Sequence, residues 1–195
     1  GYRAAALHCR DRLREYEVSC DVLSYAAKYG KWYLSTPVFQ EWRCKEAYCE
    51  LVSPHSELIA DYSANNLSII QKSYPCDYRD KPVDVVLIER VCDKSAFEGI
   101  DIKGKIVFLR DNIYPYVDAI EEKGAIGIIT DHIAEVEGSR SRYDLLDIRK
   151  YNSFWWTKEK EGPRLFGFVL TPRAGDKLAD ICLRMRAENE KDSIK

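Results

Sequence analysis

No apolar run in this sequence approaches the ~20 residues that span a bilayer. Nothing around Gly1-Tyr2-Arg3 resembles a secretory leader. The chain opens inside helical sequence, so a leader removed upstream remains open and the expected location is cytoplasmic, with secretion as the alternative. There is no Cys-x-x-Cys pair, which removes zinc-ribbon and thioredoxin-type readings. Neither His-Glu-x-x-His nor a Gly-x-Ser-x-Gly nucleophile elbow occurs. No excess of one charge exists either. Thirty Lys and Arg stand against 32 Asp and Glu, for a net charge of -2. A chain that near neutrality has no global pull toward nucleic acid or an anionic membrane, so neither is expected as a partner.

Cysteine is present but scattered. Cys9, Cys20, Cys44, Cys49, Cys76, Cys92 and Cys182 are odd in number and share no regular spacing. On a strand, Cys44 and Cys49 would face opposite sides, a poor arrangement for a shared metal. Reduced, buried thiols in an intracellular protein are preferred to a disulfide framework. The sequon Asn66-Leu67-Ser68 has meaning only outside the cytoplasm.

The 195 residues suit one domain, or one domain plus a fragment of another. With 46% hydrophobic residues, a packed core is within reach. Tyr2, Ala5, Ala6, Cys9, Leu13 and Tyr16 recur at helical spacing, which predicts a helix over 2–16. Strands are expected over 17–25, 31–34 and 42–52, with a break at Pro37, and a turn at Ser53-Pro54-His55-Ser56. Within the polar stretch 60–82, Leu67 to Ile70 is a candidate short strand. The β-branched run 83–91 predicts another.

Residues 104–131, GKIVFLRDNIYPYVDAIEEKGAIGIITD, read as strand, helix, strand. Ile106 to Leu109 and Ala125 to Thr130 are continuously apolar, as strands buried on both faces are. Pro115 suits a first helical position and Gly124 a C-terminal cap. Such a unit cradles phosphate only when glycines let backbone N–H groups approach the anion. None lies between Gly104 and Gly124, and Asp111 in the intervening turn would repel a phosphate. The nucleotide reading therefore fails. Leu165 to Leu170 is a further strand. Thr171 and Pro172 then start a helix whose buried face is Ala174, Leu178, Ile181, Cys182 and Met185. The order predicts a mixed, β-rich α/β fold.

Candidate chemistry is sparse. Three histidines, His8, His55 and His132, lie far apart, too few for a hydrolytic zinc site. Asp131-His132 falls just beyond a strand end, where α/β proteins often place functional groups. A loop or cap role is the preferred reading of that pair. A small hydrolase using His132 and a cysteine is one alternative. Residues 133–163 lack a sustained period apart from a helical turn near Tyr143 to Ile148. They combine Arg140, Arg142, Arg149 and Lys150 with Tyr143, Tyr151, Phe154, Trp155 and Trp156. Arginine and aromatics anchor interfaces. Recognition by this excursion and a tryptophan pair folded back on the domain stand side by side. Candidate binding residues are Arg142, Arg149, Tyr151, Trp155 and Trp156. No catalytic or metal-ligating residue is assigned.

Ile102-Lys103-Gly104-Lys105-Ile106-Val107-Phe108-Leu109-Arg110 resembles the opening strand of the protease-associated domain. Glu122-Lys123-Gly124-Ala125 with Ile126-Gly127-Ile128-Ile129 is similar to its helix end and second strand. Phe168 through Leu178 is similar to its closing strand and helix. The resemblance covers about residues 83–186. The helix at 2–16 followed by Tyr16-Glu17-Val18 resembles the start of the di-zinc aminopeptidases, relatives of glutamate carboxypeptidase.

The resemblance implies a peptidase N-terminal segment over 1–40, a protease-associated β/α/β domain with flanking helices over 41–187, and a polar tail over 188–195. It implies a non-catalytic domain that covers the active-site cleft of a zinc-dependent aminopeptidase and helps select peptide substrate. Zinc would belong to the catalytic domain and not to this chain. The expected partners are that domain and the peptide. A free-standing protein–protein interaction module is the other alternative.

Overall fold

In a computed structural model of the chain, residues 2–38, 40–89, 91, 94–156 and 160–192 are described. They divide into two compact units, residues 1–41 and 42–195.

The first unit holds one helix and one small hairpin. Helix α1, Tyr2–Glu15, buries none of its residues. Its expected apolar stripe is open, with Tyr2 86% and Leu13 44% exposed. The strand expected over 17–25 does not form. Glu17 turns into the left-handed region at φ 61, and Arg14 ties the following chain down by donating to the carbonyl of Cys20. An extended ladder needs a partner edge, and none is offered to this segment among the described residues. Strands β1, Trp32–Tyr33, and β2, Thr36–Pro37, pair antiparallel, so Pro37 sits inside a strand where a break was expected.

The second unit is mixed α/β. Strands β3, Tyr48–Leu51, and β4, Glu57–Asp61, form an antiparallel hairpin around the expected turn. The strand expected over 42–52 is thus shorter, leaving Cys44 outside it, and β4 has no counterpart in the sequence reading. Leu67 lies in a 3-10 turn, Asn66–Ser68, instead of a strand. Asn65 accepts the N–H of Leu67 and starts that turn. Four strands then build a parallel sheet in the order β5, β6, β7, β8: Val85–Ile88, Ile106–Leu109, Gly127–Thr130 and Phe166–Val169.

Alternation sorts the sheet's side chains to two faces. Ile106, Phe108, Ile129, Phe166 and Phe168 pack with Ala60 of the hairpin and with Leu178 and Ala179 of helix α3, Pro172–Asp192. Val107, Leu109 and Ile128 point the other way and are fully buried as well. Ile70 closes on this side above Gly167, where any Cβ would run into it. Burial on both faces explains why β6, β7 and β8 read as uninterrupted apolar sequence.

Tyr116 holds the N-cap position of helix α2, Val117–Glu122, so Pro115 lies before the helix and not at its first position. Gly124 terminates it at φ 82, a conformation glycine adopts without cost. Thr171 caps α3 as expected, its Oγ1 accepting the N–H of Ala174 at 3.2 Å. Two expectations for α3 change. The helix continues through Asp192, and Met185 is 38% exposed, because it lines an open groove instead of the core.

Candidate functional site

All four strands of the parallel sheet end on the same side, so the residues that follow them are neighbours in space. Arg110 follows β6, Asp131 and His132 follow β7, and Thr171 leads from β8 into α3. Asp131 has its side chain wholly shielded from solvent, and two guanidinium groups converge on it. Arg110 Nε donates to Asp131 Oδ2 at 3.0 Å, and Arg142 Nη2 donates to the same oxygen at 2.7 Å. Both arginines also reach Asp176 on the second turn of α3, Arg142 Nη2 to Oδ1 at 2.9 Å and Arg110 to the same atom. Arg142 goes on to the carbonyls of Asp131 at 3.1 Å and Pro172 at 3.0 Å. The result is a two-cation, two-anion clamp that fastens the excursion and α3 to the ends of β6 and β7.

The clamp's electrostatics follow from burial and charge. Burial opposes ionisation of Asp176, but hydrogen bonds from Arg142 and Arg110 outweigh it and hold that carboxyl below its ordinary range. His132 goes the other way for a base. Desolvation first, and then the charge of Lys150, push its imidazole below the ordinary 6.5. Asp131 Oδ1 makes no hydrogen bond within the described residues.

Gly175 explains how α3 comes so close. A Cβ at that position would overlap the carboxylate of Asp131.

The five candidate binding residues have different fates. Arg142 is committed to the clamp and is not free to hold a ligand. Arg149 Nε donates to the carbonyl of Val169 at 3.1 Å, docking on the end of β8. Trp156 is 8% exposed, and its Nε1 donates to the carbonyl of Lys72 at 3.1 Å. Phe154 stacks on the Trp156 ring at 5.0 Å between centroids and 14° between planes, while the Arg164 guanidinium carbon lies 3.5 Å from the ring centroid. Trp155 is 51% exposed, with the Lys72 ammonium 5.7 Å from its ring centroid. Tyr151 is half-exposed, and its hydroxyl donates to Gln71 Oε1 at 3.0 Å. The adjacent tryptophans therefore divide the two roles, one anchoring and one displayed.

Contacts of the excursion with segment 71–73 hold this display in place. Gln71 N–H donates to the carbonyl of Asn152, and Phe154 N–H donates to the carbonyl of Gln71, both at 2.9 Å. Tyr114 accepts the N–H of Ser153 at 3.4 Å. Trp155 and Tyr151 are thus displayed on a buried footing, and the Lys72 ammonium beside the Trp155 ring is itself shielded from solvent. Arg110, Asp176, Lys72 and Gln71 were not singled out in the sequence. The one signal available for the first two was a charged residue immediately after a buried strand and another in the opening turns of the following helix.

Asp131 and His132 are adjacent in sequence but do not suit a metal ion, because Arg110, Arg142 and Lys150 surround them with positive charge. The charged groups that bear on His132 are Lys150, Asp111, Asp131 and Arg142. Among the described residues, no helix is long and apolar enough to cross a membrane.

No family model, no curated protein and no solved structure matches the chain.

Proposed function

We propose that the chain is a non-catalytic, protease-associated-type recognition domain of a zinc-dependent aminopeptidase, covering the active-site cleft and contacting the peptide. One observation carries this reading. The excursion after β7 holds Trp155 and Tyr151 in solvent while Phe154, Trp156 and the Arg142 clamp fix their base. An exposed indole on a rigid footing offers contact area at low cost in conformational entropy, which is what a substrate-positioning surface needs. The chain order strand, helix, strand, strand, helix over β6, α2, β7, β8 and α3 supports the reading. Zinc chemistry would reside in the catalytic domain, and no residue of this chain takes a step in it.

The test is Trp155→Ala in the full-length enzyme, assayed over a panel of peptides. A change in the ranking of kcat/KM across the panel, with an unshifted melting temperature, is expected. An unchanged ranking would sink the reading.

The same display would serve a free-standing protein–protein interaction module. Capture of a stable partner that is not a peptidase, lost on Trp155→Ala, would favour that second reading.

A further inference from the structure

The parallel sheet ends at β5, whose outer side is paired with no other strand among the described residues. Register decides which of its groups face outward. Ile106 N–H donates to the carbonyl of Asp84, and Arg110 N–H donates to the carbonyl of Ile88, so the even-numbered residues bond to β6. In a parallel pair the alternate residues point their N–H and C=O away. Val85 and Leu87 thus present two donors and two acceptors to the open side.

Beside that edge runs a groove of about 1830 Å³. Where α3 runs beside β5, the groove's lining includes Ile181, Cys182 and Met185. The side chains of Val85 and Leu87 already pack against the same core cluster. An added strand would lay every second side chain on this lining.

The ends of the edge carry a charge code. Asp84 and Glu89 flank β5, both are exposed, and neither is in an ion pair among the described residues. Pairing with a second copy would gather two Asp84 and two Glu89 in one joint, which disfavours self-association.

We propose that the β5 edge is a strand-addition site for an extended segment of a separate polypeptide, with alternating apolar residues and a basic residue at each end. Main-chain hydrogen bonds to Val85 and Leu87 would bind it, the groove would select the apolar residues, and Asp84 and Glu89 would select the basic ends. This surface is distinct from the Trp155 display, and its test reads out separately.

The probe is a blocked seven-residue peptide of alternating valine and threonine with lysine at both ends, titrated into the full chain. Saturable one-to-one binding is expected, with slowed amide exchange at Val85 and Leu87. A glutamate-ended version should bind about tenfold more weakly. Val85→Pro alters the first residue of an edge strand, where proline is tolerated, and removes one outward donor. It should weaken the lysine peptide about tenfold while the fold persists. If that variant unfolds, the Asp84→Lys and Glu89→Lys double variant still decides, since it should reverse the preference between the two peptides. Absence of binding, binding indifferent to the end charges, or dimerisation of the chain through β5 in place of peptide binding would each overturn the proposal.

Discussion

The guanidinium carbon of Arg164 lies 3.5 Å from the ring centroid of Trp156, while Phe154 stacks on the same ring. Arg164 is itself braced, its Nε donating to Glu121 Oε1 at 3.3 Å, and Lys160 pairs with the other oxygen at 2.8 Å. Trp156 is therefore a structural rivet, although its neighbour in sequence is displayed. Trp156→Ala should cost about 3–5 kcal/mol, the range for emptying a buried aromatic site. Trp155→Ala should cost under about 1 kcal/mol, because that ring is half in solvent. Urea unfolding of the two variants checks the contrast. Equal losses would mean that the pair is not divided in this way.

Within the clamp, Arg142 Nη2 lies 2.7 Å from Asp131 Oδ2. Without Arg142 the buried Asp131 carboxylate keeps Arg110 alone. Arg142→Ala should destabilise by about 1.5–3 kcal/mol and release the excursion. Asp131→Asn keeps the shape but leaves two guanidiniums facing a neutral amide, so a smaller loss is expected. Protease susceptibility within 133–150, measured alongside unfolding, separates local release from global loss. If Arg142→Ala leaves both unchanged, the clamp does not hold the excursion.

Much of the frame was legible because its signals are local. Strands β6, β7 and β8 are buried on both faces and read as short apolar runs, correct to within two residues at each end. Gly124 and Thr171 announce their helix ends through conformation and capping. The hairpin strand β4 was not legible. Glu57–Asp61 is only partly buried, so its alternation is blurred. The false strand over 17–25 shows the converse, apolar alternation with no edge to join. The clamp was half visible. Arg142 and Asp131 stood out singly, but residues 110, 131, 142 and 176 meet only once the fold has brought two strand ends, the excursion and a helix start together. Pattern in the sequence marks where a residue is buried. Which charge it meets depends on topology.

His132 sets a pH dependence whose sign follows from its environment. Burial and Lys150 depress the folded-state pKa below the ordinary 6.5. Between the two values the unfolded chain binds more protons than the folded one, so stability rises with pH across that window. It is fully present above the unfolded value of 6.5 and is lost as pH falls below it. His132→Gln removes the titration. Unfolding free energies of the wild type and the variant, measured from pH 8 to pH 5, should run parallel above about 7.5 and converge or cross below about 6.5, where the wild type alone declines. Parallel curves throughout would show that the imidazole titrates alike in both states.

Gly175 is helical and carries no unusual φ, so by propensity alone Gly175→Ala should stabilise α3 by up to about 1 kcal/mol. Packing reverses the sign. The new Cβ would overlap the carboxylate and Cβ of Asp131, and Asp131 cannot swing away while Arg110 and Arg142 hold it. A net loss of about 1–3 kcal/mol is expected in the wild-type background, through displacement of α3 or rupture of the clamp. In an Asp131→Gly background both the carboxylate and the Cβ that it would meet are gone, and the same substitution should become neutral or stabilising. The double-mutant cycle thus tests one contact between a helix and a strand end. If Gly175→Ala costs the same with and without the Asp131 carboxylate, the close approach of α3 is not what glycine is there to permit.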